Sequence, residues 1–125
     1  MAVICDIDDT LLEQKGGRPM KRTIEYLKTL KGPVFIITGR NDSRRAATIR
    51  ELKAAGIKYN QLYMNPKKGY DAEFKYQTAK TLLQTYDISV AIENNPKERA
   101  AYERAGIKSL DPLDIPDVKK MWRLW

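Results

Sequence analysis

The stretch AVICDIDDT, residues 2–10, changes abruptly from an apolar run to a cluster of acids. Its small and β-branched apolar residues predict a buried strand over Ala2–Ile7. Asp6 and Asp8 lie two residues apart at the end of this strand, so their side chains can point the same way once the chain leaves the sheet. Two neighbouring carboxylates repel each other unless a cation such as Mg²⁺ lies between them. The alternative is a strand-to-loop turn whose acids only cap the backbone.

Short runs rich in Val and Ile alternate with longer amphipathic segments along the rest of the chain. Further strands are predicted over Val34–Thr38, Gln61–Met64, Ile88–Glu93 and Ile107–Leu110. Helices are predicted between them, beginning near Pro19, Asn41 or Asp42, Asp71 and Asn95. This alternation predicts a parallel sheet covered by helices on both faces. The expected fold class is therefore α/β, a three-layer Rossmann-like sandwich around a central, mainly parallel sheet of five strands.

Polar side chains follow three of the predicted strands at their carboxyl ends, where ligands bind in folds of this class. The three segments are Asp6-Ile7-Asp8, Thr38-Gly39-Arg40 and Glu93-Asn94-Asn95. The second segment offers a hydroxyl, nearby backbone N–H groups and a fork-shaped guanidinium donor to phosphate. Taken singly, each segment is also explained as a loop opening or a solvated acid at a strand end. Their convergence on one edge of the sheet is what indicates a binding site for an anion.

The composition excludes several classes of catalytic and metal site. The chain has 125 residues and no His, which excludes Ser-His catalysis, Cys-His catalysis and His-ligated zinc. Its single Cys, Cys5, cannot form an internal disulfide, and we interpret it as a buried strand residue in a reducing compartment. The longest apolar runs are too short to span a membrane. We therefore expect a cytoplasmic protein with no membrane association, folded as one domain over residues 1–125.

The net charge of +7 is distributed unevenly along the chain. Residues 1–14 hold four acids and no base, whereas residues 15–58 hold twelve bases and three acids. A basic surplus suits a phosphate-bearing partner, and it is equally compatible with a solvated helix face. Lys67 and Lys68 together with Tyr63 and Tyr70 could bind a nucleic-acid backbone and stack on its bases, although tyrosines in this chain also fall on expected core faces.

The order of these motifs resembles the haloacid dehalogenase (HAD) superfamily of phosphohydrolases. The matching segments are Asp6-Ile7-Asp8-Asp9-Thr10 for the D-x-D-x-T motif, Thr38-Gly39-Arg40 for the second, a helix lysine for the third and Ala91-Ile92-Glu93-Asn94-Asn95-Pro96 for the fourth. The resemblance covers residues 2–110. Within this superfamily, the chain is similar in particular to the small phosphatase domain of phage-type polynucleotide kinases. The segments that carry this similarity are Leu62-Tyr63-Met64, Phe74-Lys75 and Tyr86-Asp87-Ile88.

The resemblance implies a role for each motif residue in catalysis. Asp6 would attack phosphorus to give an aspartyl-phosphate, and Asp8 would protonate the leaving oxygen and then activate water. Lys75 would neutralise phosphate charge and steady Asp6. Lys80 lies on the same predicted helix about 140° away, so only one of the two lysines can face the site, and placement near the helix start favours Lys75.

The remaining motif residues would bind the substrate. Thr38, Gly39 and Arg40 would hold the phosphoryl group, and the hydroxyl of Thr10 would orient Asp8.

The resemblance also implies a Mg²⁺ site, with one departure from the family pattern. The ion would be held by Asp6, the backbone carbonyl of Asp8 and the fourth motif, in which the family commonly has two acids. Here the second position is Asn94, whose amide oxygen can ligate Mg²⁺ but brings no charge. Two arrangements stay open: Glu93 ligates the ion, or Asn94 ligates it with Glu93 in the outer shell.

Two functions from different classes follow from this sequence. Residues 11–33 and 41–74 are filled by predicted elements, so no inserted cap domain is expected and the open site would admit a bulky phosphorylated molecule. The first function is a Mg²⁺-dependent phosphomonoesterase acting on nucleic-acid 3′-phosphate ends or nucleotides. The alternative is a catalytically weak or inactive HAD-like module that binds phosphate or nucleic acid.

Residues 111–125 are expected to form a tail that packs as a terminal helix or makes an interface.

Overall fold

Five strands form one central sheet in the computed structural model, which describes residues 1–118. They are β1 (Ala2–Cys5), β2 (Val34–Asn41), β3 (Gln61–Asn65), β4 (Ile88–Ile92) and β5 (Ser109–Leu110). Their order across the sheet is β3-β2-β1-β4-β5, and every neighbouring pair is parallel. The predicted α/β class and the five-stranded sheet are therefore confirmed. β2 runs three residues beyond its predicted end at Thr38, and β5 is shorter than predicted.

Helices cover both faces of the sheet and complete the three layers. They are α1 (Lys21–Thr29), α2 (Arg45–Ala54), α3 (Asp71–Leu83) and α4 (Pro96–Arg104), with short 3₁₀ turns at Asp42–Arg44 and Pro112–Asp114. Val3 and Cys5 pack in one core cluster with α1 and α2, while Ala2 and Ile4 pack in the other with α3 and α4. This division follows from the alternation of side chains along a strand. Within the described residues, no cap domain is inserted between the elements.

β1 lies at the centre of the sheet, and this position brings the motifs together. The chain passes from β1 to β2 on one side and returns to the other side of β1 as β4. Cys5 is paired with both Ile36 and Ile92, so the residues that follow these strands emerge at the same edge. The strand order reverses direction beside β1, and open α/β sheets bind ligands at such a point.

Local signals in the sequence account for where the helices begin. The side-chain oxygen of Asn95 accepts hydrogen bonds from the N–H groups of Lys97 and Glu98, and Pro96 occupies the first helical position, as predicted. Asn41 instead caps the short 3₁₀ turn that leads into α2.

The described part of the chain contains no helix that is both long enough and apolar enough to cross a membrane. The predicted packing of the last residues of the tail, 119–125, lies outside the described residues. Closer to the sheet, Ile115 is buried in the same core cluster as α1.

Candidate active site

Asp6 is the first residue after β1 and is buried, with 5% of its surface exposed. Its backbone N–H donates a hydrogen bond to the carbonyl of Ile92, which ties the end of β1 to β4. One carboxylate oxygen, Oδ1, lies 3.0 Å from the Nζ of Lys75, and the other, Oδ2, lies 3.3 Å from the hydroxyl of Thr10. The carboxylate is therefore held in one orientation at the centre of the sheet edge.

Lys75 projects from α3 and is almost completely buried, with 1% of its surface exposed. Besides Asp6, its ammonium contacts Glu93 and Glu98, each at 2.6 Å. Burial alone would lower the pKa of Lys75, but the surrounding negative groups, Asp6 foremost, outweigh it and raise the pKa well above its usual value. The surrounding acids thus stabilise the charged form of the side chain at this site. Lys80 is exposed on the same helix, so the structure brings Lys75 and not Lys80 to Asp6.

Glu93 directly follows β4 and is fully buried, with both carboxylate oxygens engaged. Oε1 contacts Lys75, and Oε2 accepts a hydrogen bond from the backbone N–H of Asn95. Burial raises the pKa of Glu93 to about 8, with further contributions from the charges of Asp6 and Glu98, while Lys75 opposes the shift. Three carboxyl groups surround one ammonium here, so additional positive charge would stabilise the cluster.

Asp8 is held by the guanidinium of Arg40. Nη2 of Arg40 lies 2.7 Å from Oδ1 of Asp8, and Nε lies 3.0 Å from Oδ2, which is a bidentate contact. The remaining nitrogen, Nη1, donates to Glu51 at 2.8 Å and to Thr48 at 3.2 Å, both on α2. The hydrogen bond to Asp8 is the main cause of the raised pKa of Arg40, against the opposing effect of burial.

These contacts bear on the prediction that Arg40 binds phosphate. The guanidinium is 7% exposed and all of its nitrogens are engaged, whereas the Asp8 side chain is 29% exposed. The geometry therefore assigns Arg40 to orienting Asp8 and leaves Asp8 open to a ligand. A direct contact between Arg40 and phosphate, which stays a prediction, would require the guanidinium to release a partner.

Thr38 and Gly39 form the part of the rim contributed by β2. Thr38 is fully buried, and its hydroxyl oxygen accepts a hydrogen bond from the backbone N–H of Arg40, which leaves the hydroxyl proton to be donated to a ligand. Gly39 packs directly against α3: a Cβ at this position would lie 2.5 Å from the carboxyl carbon of Asp71. A side chain at this position would therefore displace the Asp71 carboxylate, which accepts a hydrogen bond from Asn65.

Thr10 contacts Asp6 and Asn94. Its hydroxyl oxygen lies 3.3 Å from Oδ2 of Asp6 and 3.4 Å from Oδ1 of Asn94. The resemblance implied a contact with Asp8 instead. The difference arises because the backbone N–H groups of Thr10 and Leu11 both donate to the carbonyl of Ile7, a tight turn that folds Thr10 back beneath Asp6. The hydroxyl of Thr10 has a single proton and can donate it to only one of these two oxygens at a time. The other oxygen is then free to accept from another donor or to bind a cation.

The oxygens at this edge of the sheet are of the chemical type that a small divalent cation binds. Asp6, Asn94 and the backbone carbonyl of Asp8 are oxygen donors from the ends of two adjacent strands. Residues 1–118 contain no group of three or more His, Cys, Asp or Glu side chains placed to bind a metal. Mg²⁺ does not need such a cage, because it commonly takes one or two carboxylates and retains several waters. The engaged oxygens of Glu93 favour the arrangement in which Asn94 ligates and Glu93 stays outside.

Sequence reasoning missed two acids that organise the site. Glu98 contacts Lys75, and Glu51 contacts Arg40. Each lies within a helix, where a glutamate is ordinarily explained by solvation or, as at Glu98 in the first turn of α4, by the helix dipole. No local signal in the sequence distinguishes these two glutamates from surface acids.

Tyr102 carries a buried hydroxyl that makes no hydrogen bond to any of the described residues. We expect Tyr102→Phe to leave the free energy of unfolding unchanged or to raise it, since the desolvation cost of such a hydroxyl, about 1–3 kcal/mol, is removed. Tyr102→Ala should instead lower it by about 3–5 kcal/mol through loss of packing. Urea unfolding measures both. A clear loss of stability in Tyr102→Phe would contradict the expectation and reveal a partner for the hydroxyl.

Comparisons with known proteins agree with this architecture. The family model of the HAD superfamily, subfamily IIIB (acid phosphatase), matches residues 13–105, a range that begins after Asp6, Asp8 and Thr10. No curated protein matches the chain. Solved structures of the Pnkp1/Rnl/Hen1 RNA repair complex and of the Pnkp1/Rnl/Hen1 complex each contain a similar chain, with TM-scores of 0.74 and identities of 19% and 20% over 88% of this chain. This chain spans 41% and 45% of those chains, and at such identities the likeness shows the fold alone.

Proposed function

We propose a function for this chain from the premise that it belongs to the HAD superfamily, subfamily IIIB (acid phosphatase), whose family model matches most of its length. Membership confirms the resemblance predicted from the motifs. Within this phosphatase family, we assign the chain to the metal-dependent phosphomonoesterases that use an aspartate nucleophile. The observation that carries the assignment is the buried contact between Asp6 and Lys75, which fixes a carboxylate beside a lysine ammonium at the centre of the sheet edge.

The first half of the proposed reaction transfers the phosphoryl group to Asp6. A carboxylate oxygen of Asp6 forms a bond to phosphorus as the bond between phosphorus and the ester oxygen breaks. Asp8, oriented by Arg40 and partly exposed, gives its proton to the leaving oxygen. Thr38 donates its hydroxyl proton to a phosphoryl oxygen, and Lys75 offsets the negative charge. The products are an alcohol and an aspartyl-phosphate.

The second half releases phosphate and restores the site. Asp8, now ionised, takes a proton from a water molecule, whose oxygen forms a bond to phosphorus as the bond to Asp6 breaks. Asp8 ends protonated, as it began, and Asp6 regains its carboxylate. The bidentate contact with Arg40 supports the second of these proton transfers, because it holds the Asp8 carboxylate in one orientation as it takes the proton from water.

We assign the cation site to Asp6, the backbone carbonyl of Asp8 and Asn94, and expect Mg²⁺. When bound, the ion would neutralise charge on the phosphoryl group and reduce the repulsion between it and Asp6. The excess of carboxyl groups around Lys75 supports a site that gains stability from a further positive charge.

We propose the phosphorylated end of a nucleic acid, or a nucleotide, as the substrate. Support comes from the absence of a cap over the site in the described residues, from the basic residues between positions 15 and 58, and from the similarity in fold to a chain of an RNA repair complex. A cytoplasmic location, in which Cys5 remains reduced, and a single catalytic domain over residues 1–125 belong to the same proposal.

Hydrolysis of para-nitrophenyl phosphate tests the reaction. We expect phosphate release that requires Mg²⁺, stops when a chelator is added and resumes when excess Mg²⁺ is restored. The physical reason is that the phosphoryl group and the carboxyl cluster repel each other without a cation. No activity between about pH 5 and 8 with Mg²⁺, Mn²⁺ or Co²⁺ would contradict the proposal.

The alternative of a catalytically weak binding module is favoured by one observation, the amide of Asn94 at a position where an acid would supply charge. The variant Asn94→Asp separates the two possibilities. If it raises activity at limiting Mg²⁺ and lowers the Mg²⁺ concentration required, the wild-type protein is an enzyme limited by its metal site. If both proteins bind phosphate and neither releases it from an ester, the chain is a binding module.

A further inference from the structure

We propose that Tyr70 is a stacking site for a nucleobase, and that Lys67 and Lys68 beside it bind the adjoining phosphates of a single-stranded nucleic acid. These three residues are called the base platform below. The inference rests on the proposed phosphatase function only for the location of the terminal phosphate, since the platform itself is argued from exposure, backbone geometry and charge.

Tyr70 is the one tyrosine that the structure leaves unpacked. Its residue surface is 82% exposed. The other six tyrosines are all engaged: Tyr26 and Tyr59 against one core cluster, Tyr63 and Tyr86 against Phe35, Tyr76 beneath Arg104, and Tyr102 in the core. Tyr63, which the sequence grouped with Tyr70 as a possible stacking residue, is therefore excluded by its packing.

The backbone of Tyr70 adopts an unfavourable conformation that its surroundings impose. Its φ of 57° and ψ of 36° lie in the left-handed region, which side chains with a Cβ rarely occupy. The amide of Asn65 holds the turn by donating to the carbonyl of Gly69 and to the carboxylate of Asp71, both at 2.9 Å. Among residues 1–118, Tyr70 belongs to neither core cluster, so no core packing in this part of the chain offsets the cost of its backbone conformation. Residues held in such regions concentrate at ligand-binding sites.

The base platform is anchored to the rim of the active site. The amide of Asn41, the last residue of β2, donates to the carbonyls of Asn65 and Lys67. Tyr70 lines a surface cleft of about 630 Å³ that extends to Asn95 and Glu98. Glu98, which lines the cleft, contacts the buried Lys75, so the cleft borders the cluster of acids around Lys75 and Asp6.

The charge of the platform selects the kind of ligand. Lys67 and Lys68 are exposed, and neither ammonium forms an ion pair with any acid in residues 1–118. A single-stranded nucleic acid carries both phosphates, which the two lysine ammonium groups would contact, and planar bases, which would stack on the exposed ring of Tyr70. A phosphopeptide offers phosphate but no regularly spaced planar groups, so it would leave Tyr70 without a partner. The geometry thus points to a single-stranded nucleic acid, and the 3′-phosphorylated end is the form that the proposed phosphatase function supplies.

Equilibrium binding of a fluorescent, 3′-phosphorylated oligodeoxynucleotide to the full chain tests the platform, with Asp6→Asn present in every variant to prevent turnover. Tyr70→Ala is expected to weaken binding by roughly 5- to 150-fold, the range for loss of one base–aromatic stack. Tyr70→Phe keeps the ring and should bind like the parent. Leu113→Ala is the matched control, because Leu113 is also 82% exposed, and it should change nothing.

Two further arms separate stacking from charge. An oligonucleotide with abasic residues at its 3′ end should bind the parent and Tyr70→Ala equally. Lys67→Ala and Lys68→Ala should each reduce the slope of log affinity against log salt concentration by roughly 0.7, as expected for one phosphate contact on a single strand.

Several outcomes would overturn the inference. Two concern the oligonucleotides: Tyr70→Ala binds as tightly as the parent, or it loses as much affinity for the abasic strand as for the complete one. A third is a fall in the melting temperature of Tyr70→Ala large enough to explain its loss of affinity. The fourth is that a phosphoserine peptide binds more tightly than the oligonucleotide and depends on Tyr70. Failure of the proposed function would be recognised separately, because an inactive wild type on para-nitrophenyl phosphate leaves these binding measurements unaffected.

Discussion

The replacement Asp6→Asn is expected to lower the turnover of para-nitrophenyl phosphate by about 10⁴-fold or more, the scale seen when a covalent nucleophile is removed. The amide preserves the size of the side chain but cannot attack phosphorus. The folded state should not lose stability, because Lys75 retains Glu93 and Glu98 as partners and the cluster loses one negative charge. Steady-state kinetics with saturating Mg²⁺, together with thermal unfolding, measure the two effects.

Asp9→Asn provides the matched control for Asp6→Asn. It makes the same chemical change three residues further along, where Asp9 is exposed and its left-handed backbone, with a φ of 56°, tolerates Asn. Activity near the wild-type level is expected. Acid quenching of the wild type during turnover should also trap a phosphorylated protein that is absent in Asp6→Asn. Substantial activity in Asp6→Asn would exclude Asp6 as the nucleophile.

The replacement Lys75→Met is expected to lower both activity and the free energy of unfolding, the latter by about 3–5 kcal/mol. Met has a similar length, so the main effect is the loss of the only ammonium among residues 1–118 that contacts Asp6, Glu93 and Glu98. Lys75 is 1% exposed, so water cannot screen the carboxyl groups that are left unpaired. Chemical denaturation without added metal gives the stability change directly.

The double variant Lys75→Met/Glu98→Gln distinguishes electrostatics from packing. Removing one of the unpaired charges should recover part of the lost stability without restoring activity, because the phosphoryl group still lacks its cation. Lys80→Met, an exposed position on the same helix, should leave stability and activity near the wild-type values. A Lys75→Met protein as stable as the wild type would show that the three acids do not depend on the ammonium.

The elements of the fold were predictable because their signals are local. β1, β2 and β4 each contain a short run rich in Val and Ile, and α4 begins where Asn95 and Pro96 supply a cap and a preset first residue. Placing Asp6, Thr38 and Glu93 at one edge needed only the rule that parallel strands present their carboxyl ends together. Helix periodicity allowed only one of Lys75 and Lys80 to face the site, and placement near the helix start favoured Lys75.

The side-chain partners within the site were not predictable, because they depend on contacts between distant segments. Arg40 is separated from Asp8 by 32 residues and is turned toward it by Glu51 and Thr48 on α2. Its sequence context, Thr-Gly-Arg after a strand, equally permits a guanidinium that faces phosphate. Thr10 turned toward Asp6 because a tight turn at Ile7 reverses the chain.

The sequence by itself determined the α/β class, the five strands and the set of polar residues at their ends, since periodicity, caps and strand ends are properties of neighbouring residues. Only the tertiary structure decided that Lys75 pairs with three acids and Arg40 with Asp8, and that Tyr70 is left 82% exposed among the described residues. The physical reason is that burial and charge pairing depend on distances between segments far apart in the chain. An arginine, a lysine or a tyrosine has the same local pattern whether it faces a ligand, a carboxylate or water.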